Sequence, residues 1–221
     1  MASKLIVIEG LDGSGKGTQS ALVTQALKDR GFKVKKLTFP DYDSPTSSLV
    51  KMYLGGELGK SPDDVNAYAA SSFYAVDRVA SYIKDWKKDY EECDYIVLDR
   101  YVTSNIIYQM SKLEDSERDE YIAWCEDYEY NKLKVPYPDI VIYLDMPPEV
   151  SQKLMSSRYN GDESKKDIHE KNMNFLLNCR KSALYALQKL NWVHVMCADG
   201  DTPKSIEAIT KQILDIIDSK L

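Results

Sequence analysis

No two cysteines of this chain stand close together. Cys93, Cys125, Cys179 and Cys197 are widely spaced and form no C-x-x-C pair. That excludes a zinc ribbon and a redox dithiol, and it suits plain thiols in a reducing compartment. An excess of base is missing too. There are 29 Lys and Arg against 35 Asp and Glu, a net charge of -6. Such a balance argues against general nucleic-acid or membrane-surface binding. No apolar run approaches the ~20 residues that span a bilayer. The opening M-A-S-K runs straight into the first apolar stretch, so no leader peptide is expected and a cytoplasmic location follows. Repeats, low-complexity tracts and breaks in composition are also absent, which makes residues 1–221 one expected domain.

What is present organises itself around L-I-V-I-E-G-L-D-G-S-G-K-G-T-Q, residues 5–19. Leu5 to Ile8 has the pattern of a strand buried on both faces. Glu9 and Gly10 end it. Gly10, Gly13 and Gly15 permit a tight loop that a ligand can approach closely. Thr18 to Arg30 reads as a helix, with Leu22, Val23, Ala26 and Leu27 on one face. Strand, glycine loop, lysine and helix form the arrangement that holds a polyphosphate. Loop N–H groups point inward, the helix N-terminus adds partial positive charge, and Lys16 reaches the outer phosphates. Gly10, Gly15 and Lys16 meet the spacing G-x-x-x-x-G-K, but Gly17 stands where Ser or Thr is usual and Thr18 follows it. A glycine turn in another nucleotide-binding sheet explains Lys16 poorly, because the macrodipole disfavours a cation at a helix start.

Further strands are expected at Val34–Phe39, Tyr95–Leu98, Ile140–Leu144 and Trp192–Met196. Between them lie helical patterns. One covers Leu49–Leu54. Another runs from Ser61-Pro62-Asp63-Asp64 to about Glu92, long enough to leave room for a bend or break. The others are Ile106–Met110, Ser116–Tyr130, Pro147 to about Arg158, a helix capped by Asp167 and carrying Met173 to Leu187, and one opened by Pro203. Tyr159 to Lys166 is polar and reads as a mobile loop. Strands alternating with helices predict a mainly parallel five-stranded sheet with helices on both faces, a three-layer α/β fold. Ligands then belong at the C-terminal strand ends, where Gly10, Phe39-Pro40, Asp99-Arg100 and Asp145 lie.

Several side chains at these ends carry candidate chemistry. Arg100 can hold a phosphate bidentately, although a surface ion pair would explain it as well. Asp99 either orients a hydrated Mg²⁺ or pairs with an arginine. Tyr74 and Arg78, four apart, share a helix face. A ring and a guanidinium suit a nucleobase, and a core tyrosine beside a solvated arginine is the plainer alternative. Asn105 and Tyr108 follow Arg100, flanked by Ser104 and Gln109, and an asparagine can both accept from and donate to a base edge. Arg158, Lys165, Lys166, Asp167, His169 and Glu170 form a charged segment suited to a phosphate-covering lid over about 158–170. His169 is given no role.

Together these segments resemble the thymidylate kinase family. The matching pieces are I-E-G-L-D-G-S-G-K-G-T-Q, F-P-D-Y-D-S-P, Y-A-V-D-R, L-D-R-Y-V-T-S-N-I-I-Y-Q, P-D-I-V-I-Y-L-D-M-P-P-E-V and K-D-I-H-E-K-N, in family order. The resemblance implies a P-loop NTPase fold with a mobile lid and phosphorylation of dTMP by ATP with Mg²⁺. It implies catalytic roles for Asp12, Lys16 and Arg100. It places Gly10, Gly13, Ser14, Gly15, Lys16, Gly17, Thr18, Arg158, Lys165 and Lys166 on ATP. It places Asp12, Phe39, Pro40, Tyr42, Tyr74, Arg78, Arg100, Ser104, Asn105 and Tyr108 on dTMP, with Tyr74 stacking on the base and Tyr108 against the deoxyribose. Asp12, Asp99 and Glu170 would face the metal, in part through water.

Two departures stand out. Gly17-Thr18 resembles adenylate kinases, which puts a direct hydroxyl ligand for Mg²⁺ in doubt. The loop also lacks an arginine between Asp12 and Gly15, so Lys165 or Lys166 would supply that charge. Family members are usually homodimers, and the long helix from Pro62 offers a face for that. Two rivals remain: another nucleoside monophosphate kinase, hinted at by G-K-G-T, and a non-catalytic nucleotide-binding switch. A switch would have no need of Tyr74, Arg78 and Asn105.

Overall fold

The computed structural model describes residues 2–158 and 173–221, with 155–158 by backbone alone. The element order is β1 (Lys4–Gly10), α1 (Lys16–Asp29), β2 (Val34–Thr38), α2 (Ser48–Leu54), α3 (Ala67–Ser81), α4 (Lys87–Glu92), β3 (Tyr95–Asp99), α5 (Val102–Tyr108) and α6 (Arg118–Glu126), followed by β4 (Ile140–Asp145), α7 (Pro148–Arg158), α8 (Met173–Lys189), β5 (Val193–Met196), β6 (Ala198–Asp199), β7 (Thr202–Pro203) and α9 (Ile206–Lys220). Among the described residues five strands form one parallel sheet in the order β2-β3-β1-β4-β5.

Period-2 alternation in β1 sorts its side chains between the two faces of the sheet. Leu5 and Val7 join one core with Ile96, Leu98 and Tyr143 and with residues of α5, α6 and α8. Ile6 and Ile8 join a second core with Val97, Ile142 and Leu144 and with residues of α1 and α9. In α9 the isoleucines at 209, 213 and 217 recur every four residues and are buried. This is the three-layer arrangement expected of a parallel sheet covered on both sides. Strand order reverses at β1, whose neighbours are β3 and β4, so the crevice above Gly10 is the natural ligand position.

Several boundaries differ from the sequence reading. The long helix is divided. Pro62–Asp64 is a 3₁₀ turn with a capping box from Ser61 and Asp64. α3 then starts at a second N-cap, where Asn66 Oδ1 accepts from the Ala69 N–H at 2.8 Å. A π-turn, Tyr82–Trp86, separates α3 from α4. The helix expected over Ser116–Tyr130 likewise ends in a π-turn, Asp127–Lys132. Pro203 does not open the last helix. It closes a two-strand antiparallel hairpin, β6 with β7, and Ser205 caps α9 by accepting from the Ala208 N–H at 3.2 Å. A serine whose hydroxyl reaches the third N–H after it is the stronger start signal. The expected loop from Tyr159 and the Asp167 cap lie outside the described residues.

All four cysteines are buried and free. Among the described residues no helix is long and apolar enough to cross a membrane.

Candidate active site

The phosphate-sized loop is built by close approach. A Cβ on Gly10 would lie 2.5 Å from Ser14 Oγ and 2.7 Å from the Leu144 carbonyl oxygen, so only glycine fits between β1 and the loop. Gly15 has φ 89° at the N-cap of α1, a left-handed conformation that glycine adopts without strain. The first turn of α1 carries no acid, so its N–H groups are open to an anion. Lys16 folds back over the loop, and its Nζ donates to the Leu11 carbonyl at 2.7 Å. Burial pulls its ammonium down to about 8, and Arg100 adds to that, while Asp12 and Asp99 oppose it.

Beside the loop, Asp12, Phe39, Pro40, Tyr42, Tyr74, Arg78, Arg100, Ser104, Asn105 and Tyr108 line one cleft, joined by Leu54, Tyr101 and Gln109. The residues expected around an acceptor nucleotide are therefore brought together from four segments of the chain. The Phe39–Pro40 peptide is cis. At one end of the cleft Arg100, with φ 68°, pairs with Asp12. Tyr108 Oη donates to the other Asp12 oxygen at 3.0 Å, and the Arg100 guanidinium lies 5.0 Å from the Tyr108 ring centroid. Burial opposes the Arg100 charge, but Asp12 together with Tyr108, Glu9 and Asp99 outweighs it and holds the guanidinium protonated.

At the other end Arg78 is buried. Its Nε and Nη2 donate to the two oxygens of Glu129 at 2.7 and 2.6 Å. Asn105 Nδ2 donates to Glu129 Oε1 at 2.8 Å and to the Ser71 carbonyl at 3.2 Å. Burial works against the Arg78 charge too, and Glu129 more than compensates, raising it above the usual arginine range.

Sequence reasoning passed over two of these carboxylates. Glu9 accepts from the Tyr101 N–H at 3.1 Å, Thr103 Oγ1 at 2.7 Å and Ser104 Oγ at 2.8 Å. It thereby fixes the segment that carries Arg100, and the Ser104 hydroxyl spends its donor on it. Burial raises its pKa above the usual carboxylate range, against the pull of Arg100. The signal was an acid inside the apolar run I-V-I-E-G. Glu129 had no such signal, because E-D-Y-E-Y-N reads as a solvated face. Gln109 was seen only as a flanking residue, yet its Oε1 is buried with no hydrogen-bond partner among the described residues.

A second cleft opens on the far side of the loop, lined by Gly13, Ser14, Gly15, Thr18, Gln19, Met146, Leu154, Pro203, Lys204, Ile206 and Ile209. Its apolar wall comes from the β6–β7 hairpin and the start of α9, which the sequence reading left without a role. Gln19 ties that wall to α1. Its Nε2 donates to the Ile206 carbonyl at 3.1 Å, and its Oε1 accepts from Thr210 Oγ1 at 2.7 Å. Lys165, Lys166, His169 and Glu170 lie outside the described residues, as does the Arg158 side chain.

Asp99 ends β3 above the first turn of α1. A Cβ on Gly17 would lie 3.4 Å from its Oδ2. Among the described residues no three His, Cys, Asp or Glu side chains meet to form a metal cage. Asp12 and Asp99 together suit Mg²⁺, which is commonly held by one or two carboxylates, phosphates and water.

A phosphate loop set between two clefts, one of them carrying Arg78, Asn105 and Arg100, defines a P-loop phosphotransferase. The chain belongs to the thymidylate kinase family, whose model, described as thymidylate kinase, matches residues 8–213. It is 31% identical to a thymidylate kinase of Mycobacterium tuberculosis over 82% of this chain and 84% of that protein. A probable thymidylate kinase of Methanococcus maripaludis is 29% identical, over 99% of this chain and 97% of that one. The solved thymidylate kinase of Candida albicans superposes with a TM-score of 0.70 at 22% identity, covering 99% of this chain and 92% of that one, which bears on the fold.

Proposed function

We propose that this chain transfers a phosphoryl group from ATP to dTMP, forming dTDP and ADP. The observation that carries this reading is the cleft joining Tyr74, Arg78 and Asn105 to Arg100 and Asp12 at the edge of the phosphate loop. One end suits a base and the other suits a phosphate. Catalysis in this class is mostly positioning and charge neutralisation along an in-line path. The loop amides, Lys16 and the start of α1 hold the donor phosphates. Arg100 exchanges Asp12 for the acceptor phosphate and steadies the transferring group. Phe39, Pro40 and Tyr42 wall the acceptor phosphate side, and Tyr74 stacks on the base.

Arg78 donates to O4 of thymine. Asn105 Oδ1 or the unpartnered Gln109 Oε1 accepts from N3–H. Tyr108, bonded to Asp12, closes the sugar side. The second cleft takes the adenine, and Lys165 and Lys166 supply charge over the phosphates. Mg²⁺, when bound, neutralises phosphate charge, and Asp12 and Asp99 would hold it through water, with Glu170 contributing from the lid. The free thiols suit a cytoplasmic enzyme. Val76 and Ile83, seven apart and 44% and 69% exposed, give α3 and its π-turn an apolar face suited to a homodimer.

An acceptor panel with ATP and Mg²⁺ tests the reading. The expected order of kcat/KM is dTMP, then dUMP, then dCMP far behind. Preference for a different monophosphate would favour the rival kinase suggested by Gly17-Thr18. Transfer to none would favour a nucleotide-binding switch.

A further inference from the structure

Glu129 does no work in the phosphoryl transfer itself, yet it is the most fully satisfied carboxylate in the base end of the cleft. Its acidic neighbours behave as surface residues do. Glu126 accepts from Tyr137 Oη and Asp127 from Asn131 Nδ2, both in exposed settings. Glu129 alone turns inward, from within the π-turn Asp127–Lys132, and is completely buried.

The three hydrogen bonds that Glu129 accepts determine what the cleft can present. Asn105 Nδ2 has two protons, and both are used, on Glu129 Oε1 and on the Ser71 carbonyl. Its Oδ1 is therefore the atom left to meet a ligand. Turning the amide over would set Oδ1 against a carboxylate and a carbonyl, two buried acceptor–acceptor contacts in place of two hydrogen bonds. The side chain Tyr121 braces the same spot, 2.5 Å from Ser71 Oγ and 3.3 Å from the Asn105 carbonyl. Arg78 has Nε and one proton of Nη2 engaged, so the donors left for a ligand are Nη1 and the second Nη2 proton beside it.

We infer that Glu129 is a specificity-determining positioning residue. It locks Asn105 and Arg78 into one donor–acceptor pattern that accepts thymine or uracil and refuses cytosine. The inference rests on the dTMP kinase reading. Thymine and uracil bring an acceptor at position 4 and a donor at N3, which match Nη1 and Oδ1. Cytosine brings the reverse. A free asparagine would turn over to suit cytosine N3; one held by Glu129 does not. A carboxylate that only supported the fold would affect every acceptor alike.

The test is kcat/KM for dTMP, dUMP and dCMP in the wild type, Glu129→Gln and Asn105→Ala. Glutamine keeps the volume and offers an NH₂ that Asn105 Oδ1 can face, so one of the two acceptor contacts that forbid the turned amide is removed and only the Ser71 carbonyl still opposes it. The dTMP-to-dCMP ratio is expected to fall about tenfold or more in Glu129→Gln, with the dTMP-to-dUMP ratio held within about twofold because the methyl contact is untouched. Asn105→Ala should lower the same dCMP ratio. A proportionate loss for all three acceptors in Glu129→Gln would overturn the inference. If that variant does not fold, an unchanged dTMP-to-dCMP ratio in Asn105→Ala overturns it alone. A wild type inactive on dTMP overturns the functional reading instead, whereas a dTMP-selective wild type with fixed ratios overturns only the role of Glu129.

Discussion

Arg78 and Arg100 line the same cleft, but their carboxylate partners differ in kind. The Arg78–Glu129 pair is sealed, with side chains 2% and 1% exposed. The Arg100–Asp12 pair sits at the cleft surface, 19% and 18% exposed. Glu129 is locked by three hydrogen bonds, whereas Asp12 is held by Arg100 and the Tyr108 hydroxyl at the mouth of the phosphate loop. The sealed pair suits an arginine that must present one face in every state. The open pair suits an arginine that trades its partner for a phosphate. One end of the cleft is rigid for recognition, and the other is balanced for exchange.

Alanine substitutions at the two ends should break this comparison if it is wrong. Arg100→Ala and Lys16→Ala should each lower kcat by about 10²–10³-fold, since each removes a preorganised charge from the transferring group. In Arg100→Ala the Tm should move by only a few degrees, about 1 kcal/mol or less, because the Asp12 left behind reaches water. Arg78→Ala should weaken dTMP use and also destabilise the fold. It strands a fully buried Glu129, which costs about 3–5 kcal/mol, or a Tm loss of order 10 °C. Steady-state kinetics beside thermal melts separate the two patterns. Equal loss of Tm in Arg100→Ala and Arg78→Ala would abolish the distinction. Turnover within a few-fold of wild type in Lys16→Ala would remove the phosphate-loop reading.

The two ends were also unequally legible in the sequence. The exchange end is written locally. Gly10, Gly15 and Lys16 lie within seven residues, and Asp99-Arg100 ends a strand whose place beside β1 follows from the parallel topology. The recognition end depends on contacts across 24 to 51 residues, Asn105 and Arg78 with Glu129, which no spacing rule reveals. Periodicity gave the five strands to within a residue or two. It could not show the π-turns, which add one residue to a turn and which no residue type marks, and it took Pro203 as a start because proline fits there. The short β6–β7 hairpin is too brief for any alternation to register, so the wall of the second cleft was missed with it.

The exchange end should also respond to pH, and the recognition end should not. Burial and Arg100 hold the free Lys16 ammonium at about 8. A bound polyphosphate favours the protonated form and raises that pKa. Below pH 8 the charge is already in place and affinity for ATP is flat. Above it, binding must take up a proton, so affinity falls by up to about tenfold per pH unit until the bound-state pKa is reached. Titration calorimetry with ATP from pH 7 to 9.5 shows this as a break near 8. Lys16→Arg, charged throughout, should lose the break. A flat wild-type profile would mean that Lys16 is not held in this balance. Arg78, raised above the usual arginine range, keeps its charge throughout.

The smallest effect is expected at Gly17, and it sharpens the picture of how the exchange end holds its metal. The residue sits in the first turn of α1 with ordinary helical backbone, so a side chain meets no strain there. A Cβ would stand 3.4 Å from Asp99 Oδ2, at the edge of normal contact. Gly17→Ser therefore places a hydroxyl where it can donate to Asp99 or displace a water between the loop and the metal. Replacing glycine inside a helix is worth about 0.5 kcal/mol, a Tm gain of about 1–2 °C. If Asp99 acts on Mg²⁺ through water, the new hydroxyl only substitutes for one such water. Both kcat and the Mg²⁺ concentration for half-maximal rate should then stay within about threefold of wild type. A Mg²⁺ titration of initial rates, beside a melting curve, measures both. A much tighter metal requirement in the variant would show that the native loop lacks a ligand the metal would otherwise take directly. A loss of turnover beyond about tenfold would show that Asp99 needs the space above Gly17 clear.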